Sequence, residues 1–524
     1  MRNEFIIGST VILIGVYCFS YVYPNVTLMY YFFGPIILLG IYDLFQKKHA
    51  ILRNFPVFGH FRYWLEMIRP EIQQYFIESY EEGKPFSREM RSVIYQRAKG
   101  ALDTLPFGSQ RDMYRPGYEW INHSMCPAEV LKEDPRVLIG GSQCLKPYSA
   151  SIFNISPMSF GALSKNAILA LNKGAKLGGF AHNTGEGGIS SYHQAYKADV
   201  IWQIGTGYFG CRTALGDFAP EMFREKASQE EIKMIEIKIS QGAKPGHGGI
   251  LPGVKVTDEI AEIRGVDAGK TVFSPPAHRA FTTPIELMLF VAKLRELSGG
   301  KPIGFKLCVG KRREFLSVIK AMLETDILPD YIAIDGAEGG TGAAPLEFSN
   351  SIGTPLNDGL IFAHNCLVGA GLRNKIKIIA TGKVTTGFNI ASNLALGADL
   401  CSSARGMMFA IGCIQALRCN SNLCPAGVAT QNPALVKGLD PEDKGTRVYK
   451  YHKATVHSFL EVLSASGLKH PDDLRPWHIQ RRESISKVRH YGQLYHYLEE
   501  GSLLTGEVPK DYSFAWKNST PNSF

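Results

Sequence analysis

The sequence predicts an α/β fold: a (β/α)8 TIM barrel behind an N-terminal transmembrane hairpin, with helical flanking segments. Three observations point there. Residues 376–406 read as an apolar strand ending in Thr381-Gly382-Lys383, a helix, and a second strand ending in Ser403-Ala404-Arg405-Gly406. That is the pattern of the last two units of such a barrel. The 53 glycines among 524 residues suit many tight βα turns, and 45% hydrophobic content supplies a barrel core with room for further domains. Finally, no charged residue occurs between Phe5 and Tyr42.

That uncharged stretch splits at Pro24-Asn25 into Phe5–Tyr23 and Thr27–Tyr42. Each run is near the ~20 residues a spanning helix needs, and Tyr and Phe crowd both. Arg2 precedes the first run, and Lys47, Lys48 and Arg53 follow the second. The positive-inside rule then predicts a cell-membrane anchor with the main domain facing the cytoplasm. A cleaved signal peptide is the competing reading. The second apolar run and the missing small-residue cleavage site argue against it.

Residues 1–45 are thus two membrane helices, 46–136 a helical linker or cap, 137–432 the barrel, and 433–524 a C-terminal helical extension. In the linker, Trp64–Arg69 and Met90–Ala98 have helical spacing. Barrel strands are expected near 152–158, 180–184, 200–204, 234–239, 303–309, 331–336, 376–381 and 399–404. The stretch 242–302 is a long excursion between the fourth and fifth, and 518–524 a frayed tail. Net charge is +9, but Lys and Arg are dispersed with no basic, aromatic-interleaved stripe, which excludes nucleic-acid binding as the main role. Ten cysteines at irregular intervals indicate a reducing compartment.

Three of those cysteines form a run: Cys413, Cys419 and Cys424, with Pro425 after the last. A zinc site would supply four ligands in tight pairs, and no nearby pair completes this one. An iron–sulfur cluster fits the run and its terminal proline. Three ligands match a 3Fe-4S cluster. Three unrelated core thiols remain the plain alternative.

The barrel turns and the cysteine run are joined by Ser156-Pro157-Met158-Ser159-Phe160-Gly161, Asn183-Thr184-Gly185-Glu186-Gly187-Gly188, Gln241-Gly242-Ala243-Lys244-Pro245-Gly246-His247, Ser274-Pro275-Pro276, Lys306 and Asp335-Gly336-Ala337-Glu338. In this order, over roughly 137–432, they resemble the FMN-binding synthase domain of glutamate synthase. The resemblance implies FMN and an iron–sulfur cluster as cofactors. It implies flavin contacts at Met158, Ser159, Gln241 and Lys306, and phosphate contacts at Gly382, Lys383, Arg405 and Gly406. Lys306 at a strand end can offset the negative charge that develops on a reduced flavin. Glu186 takes a substrate role, orienting an imine or ammonia and shuttling its protons, and Glu338 is a second candidate that also suits helix capping.

The expected reaction is reduction of an imine, formed from 2-oxoglutarate with ammonia or an amine, to glutamate or an N-substituted glutamate. Alternatives are a flavin reaction on another 2-oxo, 2-hydroxy or amino acid, or an electron-transfer subunit without a product. The 2-hydroxy acid oxidases use a His base after strand six, where this chain has Glu338. The larger enzymes begin with a glutaminase whose N-terminal Cys is the nucleophile; Met1-Arg2 offers none. They also carry an acid where this chain has His247. No Gly-x-Gly-x-x-Gly lies between a strand and a helix, so an electron-donor protein or NAD(P)H-oxidising subunit is the expected partner.

Overall fold

Apolar sequence with few interruptions forms the first two helices of the computed structural model, which describes residues 1–524: α1 (Arg2–Ser20) and α2 (Met29–Phe45). α1, and the 22-residue stretch Pro24–Phe45 that ends in α2, are long and apolar enough to cross a membrane, and most of their large side chains are exposed. They pack as a hairpin where Gly40 of α2 leaves room for the Phe5 ring, which a Cβ would overlap. Two shorter helices follow, α3 (Ala50–Asn54) and α4 (Gly59–Ile72). The chain divides into two compact units, Met1–Arg88 and Glu89–Phe524.

The second unit opens with α5 (Arg88–Lys99), then builds a closed barrel of eight parallel strands. These are β1 (Phe153–Ile155), β2 (His182–Asn183), β3 (Val200–Ile204), β4 (Ile232–Lys238), β5 (Ile303–Leu307), β6 (Tyr331–Asp335), β7 (Lys377–Thr381) and β8 (Leu400–Ser403). β8 pairs with β1 and closes the ring. Each strand expected from the sequence is present within a few residues. Their outward apolar positions are buried under helices, which leaves the inward positions free to be polar.

On the outside, α6 (Lys165–Gly178) is capped by Ser164, whose Oγ accepts from the Ala167 N–H. The 242–302 excursion is only partly loop. It carries the antiparallel pair Ile250–Leu251 with Val272–Phe273, then α7 (Asp258–Arg264), then α8 (Pro284–Leu297), the barrel's own helix between β4 and β5. Beyond β5 come α9 (Arg312–Thr325), α10 (Leu356–Gly369), α11 (Gly387–Ala395) and the long α12 (Pro441–Ala465). Gly174 of α6 lets Val448 of α12 approach closely, and His452 of α12 stacks on Phe180 with centroids 3.9 Å apart.

Residues beyond α12 are not simply helical. Ile479–Arg482 is the centre of a three-stranded antiparallel sheet with Glu119–Ile121 and Val488–His490, an arrangement that buries Ile479. The tail is not frayed either. Arg313 of α9 donates to the Phe524 carbonyl at 2.8 Å, and Lys320 donates to Ser519 O at 2.9 Å.

Candidate active site

The barrel interior is built from alternate residues of each strand. On β4 these include Glu236 and Lys238, on β5 Lys306, and on β6 Asp335. At the lower level Glu236 accepts from Asn183 Nδ2 at 2.9 Å and Gln203 Nε2 at 2.7 Å. Burial raises its carboxyl above the usual range, against the opposing pull of Lys306 and these two amides. One layer up, Lys306 Nζ lies 2.5 Å from Asp335 Oδ2, and the Gly242 N–H donates to the same oxygen at 2.8 Å. A Cβ on Gly242 would overlap Gly336 O, so only glycine lets this loop cross β6.

At the C-terminal ends of β2 and β4, Glu186 Oε1 meets Lys238 Nζ at 2.8 Å. Burial alone would raise the Glu186 carboxyl. The charges of Lys238, Lys244 and Arg264 outweigh it and hold the group below its usual range. Burial lowers all three cations in turn: Lys238 below the ordinary lysine value, Lys244 to about 8 and Arg264 to about 10. Lys244 Nζ donates to Ala343 O at 3.0 Å, and Arg264 Nη2 to Phe160 O at 3.1 Å. His278 braces the end of β4. Its Nε2 lies 2.9 Å from Lys238 O and its Nδ1 3.0 Å from Tyr208 Oη. A carbonyl can only accept, so Nε2 carries the proton and Nδ1 accepts from the tyrosine. Burial keeps this ring neutral down to about 4.

The residues expected to touch flavin lie around the same mouth. Met158 and Ser159 are buried in the loop after β1, where Gly185 is so close that a Cβ would meet Ser159 N at 2.7 Å. Gln241 sits half-buried at the lip after β4. The turns after β7 and β8 are adjacent because those strands pair. Ser403 Oγ donates to Val384 O at 2.6 Å, and Ser156 and Thr381 share a hydroxyl bond at 2.9 Å. Gly382 (φ 144°) and Lys383 (φ 51°) are consecutive positive-φ residues and turn the chain sharply after β7. Arg405 Nη2 donates to Glu338 O at 2.5 Å, and burial brings its guanidinium down to about 10. This set fits FMN, with a cationic, glycine-turned end for the phosphate and a buried lysine on β5. Glu338 itself accepts from the Leu356 N–H at 3.1 Å and so caps α10. His247 packs edge-on against Phe348.

Cys413, Cys419 and Cys424 lie in one loop after β8. Burial raises the Cys413 thiol to about 12, with added repulsion from Cys419 and Cys424; burial likewise raises Cys419, with repulsion from Cys424. The donor chemistry suits iron and sulfide. Even so, among the described residues no three His, Cys, Asp or Glu side chains are grouped to hold a metal ion. The loop is tightly held all the same. Tyr95 of α5 donates to Cys413 O at 2.6 Å, and Gln431 Nε2 donates to Gly161 O and Leu163 O at 3.1 and 2.8 Å. Lys255 Nζ is bound by Ala162 O and Ala429 O at 3.0 and 2.8 Å. Gln415, Leu417 and Asn422 all take positive φ, a conformation that non-glycine residues other than Asn seldom adopt.

Lys238 and Arg264 escaped the sequence reading, and Lys244 and Asp335 stood in its motifs without a role. Lys238 looked like an ordinary alternating strand residue, and Arg264 lies on α7, in the excursion. A signal did exist in Ile235-Glu236-Ile237-Lys238. Its apolar partners point outward, so its charges must point into the barrel.

Residues 131–469 match the family described as "Conserved region in glutamate synthase". The chain is 39% identical over 508 residues to the glutamate synthase large subunit-like protein YerD of Bacillus subtilis, covering 88% of this chain and 96% of that one. It is 38% identical over 322 residues to the archaeal glutamate synthase (NADPH) of Methanocaldococcus jannaschii, covering 61% of this chain and 60% of that one. Against the glutamate synthase (NADPH) large chain of B. subtilis identity is 32%, over 62% of this chain and 20% of the relative. The barrel, the mouth and the family match cover the same stretch of sequence, and the chain belongs to the glutamate synthase family.

Proposed function

We propose that this chain is an FMN-dependent oxidoreductase acting on CH–NH2 donors, which forms glutamate or an N-substituted glutamate from 2-oxoglutarate and ammonia or an amine. One observation carries the reading: three cations, Lys238, Lys244 and Arg264, surround the single carboxylate of Glu186 at the barrel mouth. The excess of positive charge complements a dicarboxylate, and the carboxylate complements the ammonium or iminium that forms beside it.

The residues divide the work. Lys238 and Arg264 hold carboxylates, Glu186 positions the nitrogen, and Lys244 Nζ, lowered by burial to about 8, holds a proton that can be given up close to neutral pH. Bound FMN supplies the hydride. Lys306, backed by Asp335, places positive charge on β5 where the flavin ring is expected, and Met158, Ser159 and Gln241 line that end. Lys383, Arg405 and the N–H groups of Gly382 and Gly406 hold the phosphate. The cysteine loop is proposed to hold a 3Fe-4S cluster serving an electron-donor protein or NAD(P)H-oxidising subunit; its support is the run Cys413, Cys419 and Cys424 within one braced loop. The α1–α2 hairpin is proposed to anchor the chain in the cell membrane with the barrel in the cytoplasm.

Purified protein supplied with chemically reduced flavin, 2-oxoglutarate and ammonium tests the reading. Glutamate is the expected product. Flavin that is reoxidised only by electron acceptors, with no amino acid formed from ammonium or from amines, would refute it.

A further inference from the structure

We infer that α4 is a third membrane contact, lying along the bilayer surface with its aromatic face among phospholipid headgroups and its polar face in water; the inference rests on the hairpin reading above. Phe58, Phe61, Leu65, Ile68 and Ile72 recur at three- and four-residue spacing, so they form one face of the helix. Trp64 flanks that face and stacks on Phe61, centroids 5.7 Å apart. Most of the face is bare: Phe58 is 71% exposed, Phe61 61%, Trp64 50% and Leu65 41%, while Ile68 and Ile72 are half-buried. Arg62 and Glu66 form a 3.0 Å pair on the other side. The turn Gln73–Ile77 prolongs the patch with Tyr75, Phe76 and Ile77, all exposed.

The position of this helix identifies what covers it. Asp43 near the end of α2 is fully buried, and it holds the start of α4 with both oxygens: His60 Nε2 lies 2.9 Å from Oδ1, and the Val57 N–H donates to Oδ2 at 2.9 Å. Arg53 Nε donates to Leu44 O at 3.2 Å. A spanning α2 ends where acyl chains give way to headgroups, so α4 begins at that level. Lys47, Lys48 and Arg53 are exposed on the intervening segment, at the depth of lipid phosphates. A helix rich in Trp and Phe on one side and charged on the other is stable at such an interface, because its apolar side chains leave water while its charged ones stay in it.

The full chain is placed in nanodiscs of phosphatidylethanolamine and phosphatidylglycerol, with some lipid brominated either near the headgroup or near the acyl-chain ends. Subtracting the fluorescence of Trp64→Phe isolates the Trp64 emission. Roughly twofold quenching is expected, stronger with bromine near the headgroup and weakened by Leu65→Asp. Unquenched Trp64 in a chain that stays in the disc overturns the inference, leaves the hairpin standing, and assigns the face to a protein partner or a second copy. Recovery of the full chain in a detergent-free soluble fraction refutes the hairpin instead. Vesicles of the same lipids are then added, and Trp64 quenching still supports an interfacial α4, whereas its absence overturns that as well.

Discussion

Lys238 and Lys306 are register partners on the paired strands β4 and β5, two cations side by side inside one barrel. Each is drawn to a different carboxylate, Lys238 to Glu186 at 2.8 Å and Lys306 to Asp335 at 2.5 Å. The split gives the mouth two zones. One has its charge closed off by β6 and the Gly242 N–H. The other lies among further cations, Lys244 and Arg264, and can accept an anionic ligand.

Glu186→Gln keeps the shape and removes the charge proposed to orient the nitrogen. The turnover number for glutamate formation should fall by about 10²–10⁴. Lys238→Met should instead raise the KM for 2-oxoglutarate by roughly 10–100-fold, a loss of about 1.4–2.8 kcal/mol. Steady-state assays with reduced flavin separate the two effects.

Activity should decline as pH rises through about 8, where Lys244 loses its proton, and Lys244→Gln should flatten that alkaline limb at a lower rate. The effect on stability has the opposite sign. The folded value lies below the unfolded lysine value, so burying the charged form carries a penalty below about 8 that is relieved as pH rises toward about 10. Rate profiles and urea titrations across this range check both signs.

Acid should unfold the barrel early. Burial holds His193, His278, His364 and His452 down at about 4. Each folded value is depressed, so the unfolded chain binds more protons, and stability is lost progressively as pH falls from about 6.5 toward about 4. The urea midpoint should drop steeply over that interval, and His452→Gln should make the drop shallower.

Gly382→Glu places a side chain at φ 144° and a negative charge beside the proposed phosphate position. The variant should purify colourless and take up FMN at least about tenfold more weakly, from backbone strain of about 1–3 kcal/mol plus repulsion. Flavin absorbance of the purified protein decides it.

Cys419→Ser should eliminate protein-bound iron and sulfide while flavin absorbance persists. Elemental analysis after anaerobic purification is the measurement, and iron absent from the wild-type protein would remove the cluster from the reading.

The barrel was legible because its strands are apolar runs that end in glycine turns, a local property of the chain. The turns after β7 and β8 were legible for the same reason. Partnerships within the mouth were not. Glu186 and Lys238 are separated by a whole strand and helix, and only closure of the ring sets them 2.8 Å apart. Glu338 shows the reverse. It suited both chemistry and capping, and the Leu356 N–H places it as the α10 cap. The small sheet around Ile479–Arg482 was missed because its arginines read as loop or helix until Glu119–Ile121 supplies a partner strand.

The β8–β1 seam also sets a timetable for synthesis. A ribosome must add roughly 250 residues after β1 before β8 can pair with it, which at about 5–20 residues per second leaves an open sheet edge for on the order of 10–50 s. His452, which packs against β1 and the segment leading into β2, emerges later still. An unfinished chain therefore presents unpaired edges to its neighbours on the same message, and chaperone engagement should be concentrated on nascent chains that end between Ile155 and Leu400.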